Sequence, residues 1–349
     1  MSTTTEQFET YKDLGLTGLA NVGNSCYLNS CMQILSHTYE FNEFLKKTNY
    51  KGKLNRKHDS VLLLEWDKLR EMMWKENCTI APLGFVQAVK KVAHLKKKEL
   101  FTGYAQNDLP EFLMFIIDCF HNSLMREVEM TINGKQTNEQ DKMAFECYKM
   151  MKNMYKKEYS EMLNIFYGIH VSNISSVKNG KILAMRPEPF STISLPIPKK
   201  RETSIYECMD LYCENERMEG DNAWYNEKTK KKEDIDKGIR FWSLPNILII
   251  DLKRFDMRGR KLRQQVQCPL ENIDFSKYVD GYNSSSYIYD MYAICNHSGG
   301  LMGGHYTAFI KNANSKWYLF NDTSVKEVNK EKLITPNSYC FFFRKRQLV

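Results

Sequence analysis

The chain changes character near Asn164, and this change constrains the fold more than any other feature of the sequence. Between Tyr27 and about Ser160, apolar residues recur every three or four positions, as helices require. After Asn164, short segments such as "FSTISLPIP" and "HYTAFIKN" alternate β-branched or aromatic residues with polar ones, which is typical of strands. No repeat, Pro-rich linker or low-complexity block separates the halves. The sequence therefore predicts a single α+β domain.

Charge and cysteine usage argue against several classes of protein. The net charge of +8 suggests nucleic acid, but the lysines fall in short runs interleaved with acids, which we interpret as solvated surface. The start of the chain lacks a secretory signal, and no apolar run approaches the ~18 residues of a membrane span. The 10 cysteines are scattered, unlike a small disulfide framework. We expect a monomer of the cytoplasm or nucleus that binds neither nucleic acid nor membrane.

A cysteine in "GLANVGNSCYLNS", residues 18 to 30, is a candidate nucleophile. Cys26 follows the helix-capping residues Asn24 and Ser25 and precedes an apolar helical face. This position near the positive end of a helix would favour the thiolate, which is the nucleophilic form. The alternative is that Cys26 is one more small buried hydrophobe, as most free cysteines are. That alternative weakens where a second segment supplies a base.

The segment "CNHSGGLMGGHYTAFIKNANSKWYLFNDTS", residues 295 to 324, supplies a candidate base. His305 follows two glycines that leave space beside the imidazole, and it opens an alternating strand. A hairpin centred on Ala313 would place His305 directly across from Asn321, on the same face of the sheet. A slip of one residue would select Asp322 instead. His297 lies in the same loop and is a candidate to line the site without acting as the base. The other histidines are interpreted as structural: His37, His58, His94, His121 and His170.

Four blocks of this chain together resemble the ubiquitin-specific proteases, a family of papain-like cysteine proteases. The cysteine and histidine segments resemble its Cys and His boxes, and "TGYAQNDLPEFLMFIIDCFH" and "WSLPNILIIDLKRF" are similar to two blocks between them. The resemblance covers about residues 14–346 and implies a right-hand architecture. A flexible tail over 1–13 would precede a single catalytic domain over 14–347. This domain would consist of a helical thumb (about 14–165), β-rich fingers (about 166–240) and a β palm (about 241–347).

The resemblance also implies a role for each candidate residue. Cys26 would be the nucleophile, His305 the general base and Asn321 the residue that holds the imidazole. Asn21 would stabilise the oxyanion, with Asp322 steadying that side of the cleft. The implied reaction is hydrolysis of the (iso)peptide bond after the C-terminal glycine of ubiquitin, through a thioester and without a cofactor. Two further residues match acidic positions that face arginines of the ubiquitin tail: Asp108 and Glu111.

The chain departs from the family pattern in the fingers. Many members carry two Cys-x-x-Cys pairs there that bind a structural zinc. The matching positions in this chain are Ser176, Asn179, Asn226 and Thr229, and none is a thiol. We therefore predict no zinc and fingers held by hairpin packing alone.

Two other functions stay open on the sequence alone. A catalytically silent ubiquitin-binding module would use the same fold, although it has little need for the triad and the oxyanion asparagine together. A transglutaminase-like acyltransferase would share the triad logic without the "QNDLPEF" and "LKRF" blocks.

Overall fold

The predicted change from helices to strands is confirmed in the computed structural model, which describes residues 8–301 and 303–347. Eight α-helices precede or interrupt the strands. They are α1 (Cys26–Ser36), α2 (Tyr39–Lys47), α3 (Asp59–Lys75), α4 (Leu83–Leu95), α5 (Leu109–Leu124), α6 (Glu139–Glu158), α7 (Met162–Phe166) and α8 (Ile205–Cys213). In the described part of the chain no helix is both long enough and apolar enough to cross a membrane.

The strands form one large sheet and several small ones. They are β1 (Gly18–Leu19), β2 (Thr79–Ile80), β3 (Gly168–Ser176), β4 (Ile182–Phe190), β5 (Thr192–Leu195), β6 (Thr203–Ser204), β7 (Glu216–Met218), β8 (Trp224–Asn226), β9 (Lys231–Glu233), β10 (Ile235–Ser243), β11 (Ile247–Leu252), β12 (Val266–Gln267), β13 (Ile273–Asp274), β14 (Ile288–Gly300), β15 (Gly303–Lys311), β16 (Trp317–Asn321), β17 (Ser324–Val328) and β18 (Ser338–Lys345). The 8-stranded sheet runs β17-β16-β15-β14-β18-β11-β5, with β13 paired to β14.

Both faces of the large sheet are covered, and β11 shows how. Its residues are all buried. Ile247 and Ile249 join the core beneath the helices, whereas Leu248 and Ile250 join the core on the opposite face. Alternate side chains of a strand point to opposite faces, so a continuous apolar run is the pattern that a doubly covered strand requires.

Helix α1 is the central helix of the domain. All 11 of its residues are buried. It contacts β14, β15 and β16 on the sheet side and α2 and α5 on the helical side. A helix buried all round is fixed by packing on every face, so its first residue, Cys26, has a fixed position against the sheet.

The fingers are less continuous than predicted. A four-stranded sheet, β4-β3-β10-β7, forms them together with the β8–β9 hairpin. Within the predicted range 166–240, however, β5 pairs in parallel with β11 of the large sheet. Helix α8 adds Ile205, Cys208 and Met209 to the core on that side. Residues 192–213 therefore pack with the large sheet, because their apolar residues complete the core on its second face. The boundary between fingers and palm stays a prediction.

The flexible tail predicted over 1–13 is also corrected in part. Residues 1–7 lie outside the described residues. From Phe8 onward the chain is docked, since Phe8 is 5% exposed and Tyr11 is 0% exposed. The Tyr11 ring stacks on Tyr39 at 4.6 Å, and its hydroxyl donates to Glu43 at 2.6 Å. Two aromatic rings near the start of the chain bury enough apolar surface to order the segment that carries them.

Candidate active site

The Cys26 thiol lies at the first turn of α1, where that helix packs against β15. Burial is the largest influence on the thiol and raises its pKa, and the Asp322 carboxylate raises it further. A backbone hydrogen bond from Tyr306 lowers the pKa but does not outweigh burial. The expectation of a favoured thiolate is therefore corrected, because Cys26 is only 2% exposed and a charged sulfur there is poorly solvated.

His305 and Asn321 meet at the edge of the same cleft. The His305 Nε2 atom lies 2.7 Å from Asn321 Oδ1. Since a carboxamide oxygen only accepts, this contact places the imidazole proton on Nε2. Nδ1 is then the ring nitrogen left to exchange a proton with a thiol. Tyr306, the residue after His305, bonds to that thiol through its backbone. The structure therefore joins His305 to Asn321 and places the backbone next to His305 against the Cys26 thiol.

The hairpin register differs from the predicted one by two residues. Lys311 pairs with Trp317, whereas a centre at Ala313 would pair it with Ser315. The cause is a three-residue loop: Asn312 N donates to Lys316 O at 2.9 Å, and Ser315 has a φ of 68°. A shift of two residues keeps every side chain on its face. Asn321 therefore contacts His305 diagonally and Asp322 does not.

Asp322 ties the segment after β16 to the cysteine loop. Its Oδ2 accepts from Asn21 Nδ2 at 3.0 Å, and its Oδ1 accepts from Asn29 Nδ2 at 2.8 Å. Asn21 Oδ1 accepts the backbone N–H groups of Gly23 at 3.2 Å and Ser25 at 3.1 Å. The carboxamide is thus clamped from both ends. Its second Nδ2 hydrogen has no protein acceptor in the described residues and is free to meet an oxygen in the cleft.

The two acidic residues on α5 have different surroundings. Asp108 caps the helix by accepting from Glu111 N at 3.1 Å. It also accepts from the hydroxyls of Tyr339 at 2.6 Å and Tyr306 at 3.4 Å. Glu111 is exposed, and its carboxylate has no partner within the described ranges. Asp108 is therefore an anchor for β15 and β18 as well as a half-exposed negative charge, whereas Glu111 is available only as a charge.

Sequence reasoning missed two polar residues that assemble the cleft. Gln106 Oε1 accepts the backbone N–H of Gly304 at 2.7 Å, so it fixes the turn before His305. Asn29, one turn along α1 from Cys26, holds Asp322. A signal was present for both. Gln106 lies inside the recognised "QNDLPEF" block, and Asn29 is a polar residue on a helix buried on every side.

His297 lies on β14, next to the strand that carries His305. Its ring is buried and packs against Tyr306, with the centroids 4.6 Å apart. Burial lowers its pKa to about 4, and the nearby Lys261 contributes. A Cβ on Gly304 would lie 2.2 Å from His297 Nε2, so this glycine makes room for His297. The space that the glycines leave beside His305 itself stays a prediction.

The four finger positions that would ligate a zinc make hydrogen bonds instead. Ser176 and Asn179 each accept a backbone N–H two residues further on. Asn226 Nδ2 and Thr229 Oγ1 both donate to Glu233 Oε1, at 3.1 Å and 2.5 Å. No group of three or more potential metal-ligating side chains occurs within the described ranges. These side chains do not fit a structural zinc, which takes thiolate and imidazole ligands. The absence of zinc stays a prediction.

Comparisons with known proteins agree on one family. The family model described as ubiquitin carboxyl-terminal hydrolase matches residues 17–343. Ubiquitin carboxyl-terminal hydrolase Usp2 of Drosophila melanogaster is 32% identical over 96% of this chain and 35% of its own length. Ubiquitin carboxyl-terminal hydrolase 2 of Homo sapiens is 30% identical over 94% of this chain and 55% of its own. In the Gallus gallus protein of the same name, 30% identity covers 94% of this chain and 93% of the relative.

Solved structures support the same fold. A SAGA DUB module containing Ubp8, bound to monoubiquitin, gives a TM-score of 0.73 at 23% identity and covers 98% of this chain and 71% of the other. The same module bound to ubiquitin aldehyde also gives 0.73 at 23% identity, over 97% of this chain and 71% of the other. The predicted α+β fold class is confirmed. The chain spans about a third to a half of the length of the fly and human relatives.

Proposed function

Since the chain belongs to the ubiquitin carboxyl-terminal hydrolase family, we propose that it is a thiol-dependent deubiquitinase that cleaves the (iso)peptide bond after the C-terminal glycine of ubiquitin. The observation that carries the proposal is the His305–Asn321 contact of 2.7 Å beside the buried Cys26 thiol. Thiol, imidazole and carboxamide in this order form a nucleophile, a base and an orienting group.

Because burial raises the pKa of Cys26, the proposed mechanism needs a base, and that base is His305. A thiol that is neutral at rest needs a base as it attacks, and His305 Nδ1 takes the proton while Asn321 holds Nε2–H. The sulfur bonds to the glycine carbonyl carbon, and the imidazolium returns the proton to the departing lysine amine. Water, deprotonated by the same imidazole, then hydrolyses the thioester, which frees the ubiquitin carboxylate and the Cys26 thiol.

Asn21 is the proposed oxyanion donor. The carbonyl oxygen becomes negative in the tetrahedral intermediate, and the free Nδ2 hydrogen of Asn21 would donate to it together with the backbone N–H of Cys26. One such donor contributes on the order of 3 kcal/mol to the transition state. Asp322 keeps this donor aimed, since it fixes the other Nδ2 hydrogen at 3.0 Å.

The substrate proposal rests on charge as well as on family. Asp108 and Glu111 stand at the start of α5, and arginines of a basic ubiquitin tail would pair with carboxylates there. All 10 cysteines are free thiols, which supports a reducing compartment, the cytoplasm or the nucleus. We propose that the protein acts there as a monomer without a cofactor.

A ubiquitin derivative that ends in an electrophile tests the proposal. Covalent labelling at Cys26, located by mass spectrometry and abolished in Cys26→Ala, is the expected result. Binding without labelling would support a catalytically silent ubiquitin-binding module instead. If the derivative neither binds nor labels the chain, a ubiquitin-directed function is contradicted, and the transglutaminase-like acyltransferase is the function that remains.

A further inference from the structure

The loop after β11, residues 253–264, is closed at its base by a buried arginine. Arg254 is 0% exposed. Its carbonyl accepts from Leu262 N, and its Nη1 donates to the carbonyls of Leu262 at 3.0 Å and Gln264 at 2.9 Å. Its Nε donates to Ser338 O on β18 at 2.6 Å. Within residues 8–301 and 303–347 the guanidinium has no carboxylate partner. Its hydrogen bonds therefore fix the loop to the large sheet.

One side chain of this loop reaches β14, the strand that pairs with β15. Lys261 Nζ lies 3.1 Å from His297 Nδ1 and also donates to the His297 carbonyl. No carboxylate of the described residues lies within ion-pair distance of Lys261. A lysine that is partly buried and bonded only to neutral acceptors gains little stability from its charge. The contact needs another explanation.

His297 transmits this contact to both neighbours of His305. The ring is neutral, and accepting at Nδ1 leaves its proton on Nε2. It packs on the Tyr306 ring, and His297 is also the cross-strand partner of Tyr306. It presses against Gly304 closely enough that a Cβ would lie 2.2 Å from Nε2. One imidazole therefore contacts the residues on both sides of His305.

We propose that Lys261 is a positioning residue for catalysis, which holds His297 against Gly304 and Tyr306 and so fixes the His305 imidazole. Among the described residues, Lys261 Nζ makes hydrogen bonds only to His297, so it would act on His305 through that residue. The inference rests on the function proposed above, in which His305 is the general base. It predicts an effect on turnover more than on substrate binding, since a misplaced base weakens the transition state and leaves the ubiquitin-binding surface intact.

Three variants test this proposal in the full chain, with a fluorogenic ubiquitin substrate. Lys261→Met keeps the aliphatic stem and removes the donor, and we expect kcat to fall by about 10- to 100-fold with KM changed less than about 2-fold. Lys261→Arg restores donors and should recover most of kcat. Arg263→Met is the matched control: it removes a charge from the same loop, where Arg263 is exposed and makes no side-chain hydrogen bond to the described residues. Equal loss in Arg263→Met would overturn the proposal in favour of a general charge effect.

A double-mutant cycle separates positioning from stability. His297→Phe keeps a ring on Tyr306 and removes the Nδ1 acceptor but not the backbone carbonyl that Lys261 also contacts, so Lys261→Met should lower kcat less in that background than in wild type. Additive losses would overturn the proposal. Melting curves show that each variant is folded at the assay temperature, and Lys261→Gln replaces Lys261→Met if the latter is not.

Failure of this inference is distinct from failure of the proposed function. A wild-type chain that the electrophilic probe labels at Cys26, together with unchanged kcat in Lys261→Met, overturns the positioning role alone. A wild-type chain that the probe does not label overturns both.

Discussion

The catalytic cleft and the tip of the fingers are both held by polar side chains, but their hydrogen bonds span very different distances along the chain. We call Asn21, Asn29, Gln106 and Asp322 the cleft network. Its bonds join residues 301, 293 and 198 positions apart. We call Asn226, Thr229 and Glu233 the fingertip network, whose bonds join residues 7 and 4 positions apart. The cleft exists only when the whole domain is folded, whereas the fingertip closes locally.

The largest expected effect comes from removing the nucleophile, which belongs to neither network. Cys26→Ala removes the nucleophile and no hydrogen bond of either network, so hydrolysis should fall by more than about 10⁴-fold. Ubiquitin affinity should survive, because the thiol is buried and contributes little contact area. Calorimetric titration with ubiquitin measures this. If affinity is lost together with activity, Cys26 is a structural residue.

The next effect distinguishes the cleft network from the triad. Asp322→Ala leaves the Asn21 and Asn29 amides without their shared acceptor, and kcat should fall about 10²-fold because the oxyanion donor is no longer aimed. Asn321→Ala should also lower kcat substantially, and Asn321→Asp should retain measurable activity, since a carboxylate still accepts Nε2–H.

The pH dependence of kcat separates these two residues. Asn321 contacts the imidazole, so its variants should alter the pH profile of kcat, and Asp322→Ala should leave that profile less altered. If Asp322→Ala alone shifts the profile, the orienting role belongs to Asp322 and the geometry changes on substrate binding.

The third prediction compares the two acidic residues at the start of α5, Asp108 and Glu111. Asp108→Lys should raise KM for full-length ubiquitin by about 10-fold or more, because it repels a basic tail. It should also lower kcat and thermal stability, since Tyr339 and Tyr306 lose their acceptor. Glu111→Lys is the matched control and should raise KM alone. A tail peptide without arginines should show neither KM effect. If Glu111→Lys lowers kcat as well, it is wrong that Asp108 is both an anchor and a charge whereas Glu111 is only a charge.

How far the sequence predicts these regions follows from the same contrast. The position of Cys26 at a helix start and the face shared by His305 and Asn321 follow from local periodicity, and even a register error of two residues preserved the face. The absence of thiols at the four finger positions that match the zinc ligands also follows from the sequence. Two hydrogen bonds were not predicted, the one between Gln106 and Gly304 and the one between Lys261 and His297. Single polar contacts between distant segments leave no periodic signal in the sequence. The raised pKa of Cys26 was missed for a related reason: burial depends on the whole fold.

A fourth prediction concerns stability against pH in the core behind the cleft. His37 is fully buried, contacts Phe320 just before Asn321, and has its pKa lowered to about 4 by burial. Between that value and the ordinary 6.5, the unfolded chain binds a proton that the folded chain does not, so stability falls as pH falls through this window. Across this window, His37 lowers the free energy of unfolding by on the order of 3 kcal/mol.

Denaturant titrations of wild type and His37→Phe at pH 7, 5.5 and 4.5 measure that contribution, with each pH chosen inside or just above the window. The slope of stability against pH should become shallower in the variant. It should not vanish, because His297 has its pKa lowered to about 4 as well. An unchanged slope would show that His37 gains access to solvent in the folded chain.

The smallest effect is expected at the fingertip. Glu233→Gln keeps an oxygen that can accept from Asn226 and Thr229 and removes a charge from an exposed hairpin, so the hairpin should persist. We expect KM for ubiquitin to change less than about 3-fold and kcat not at all. Activity should likewise persist in a chelator, and elemental analysis should find no stoichiometric zinc, because no thiolate stands at the four positions. One zinc per chain would show that Ser176, Asn179, Asn226 and Thr229 are wrongly matched to the zinc positions. A loss in Glu233→Gln as large as that in Asp322→Ala would show that fingertip and cleft are coupled through the finger sheet. The local network would then be part of the catalytic assembly.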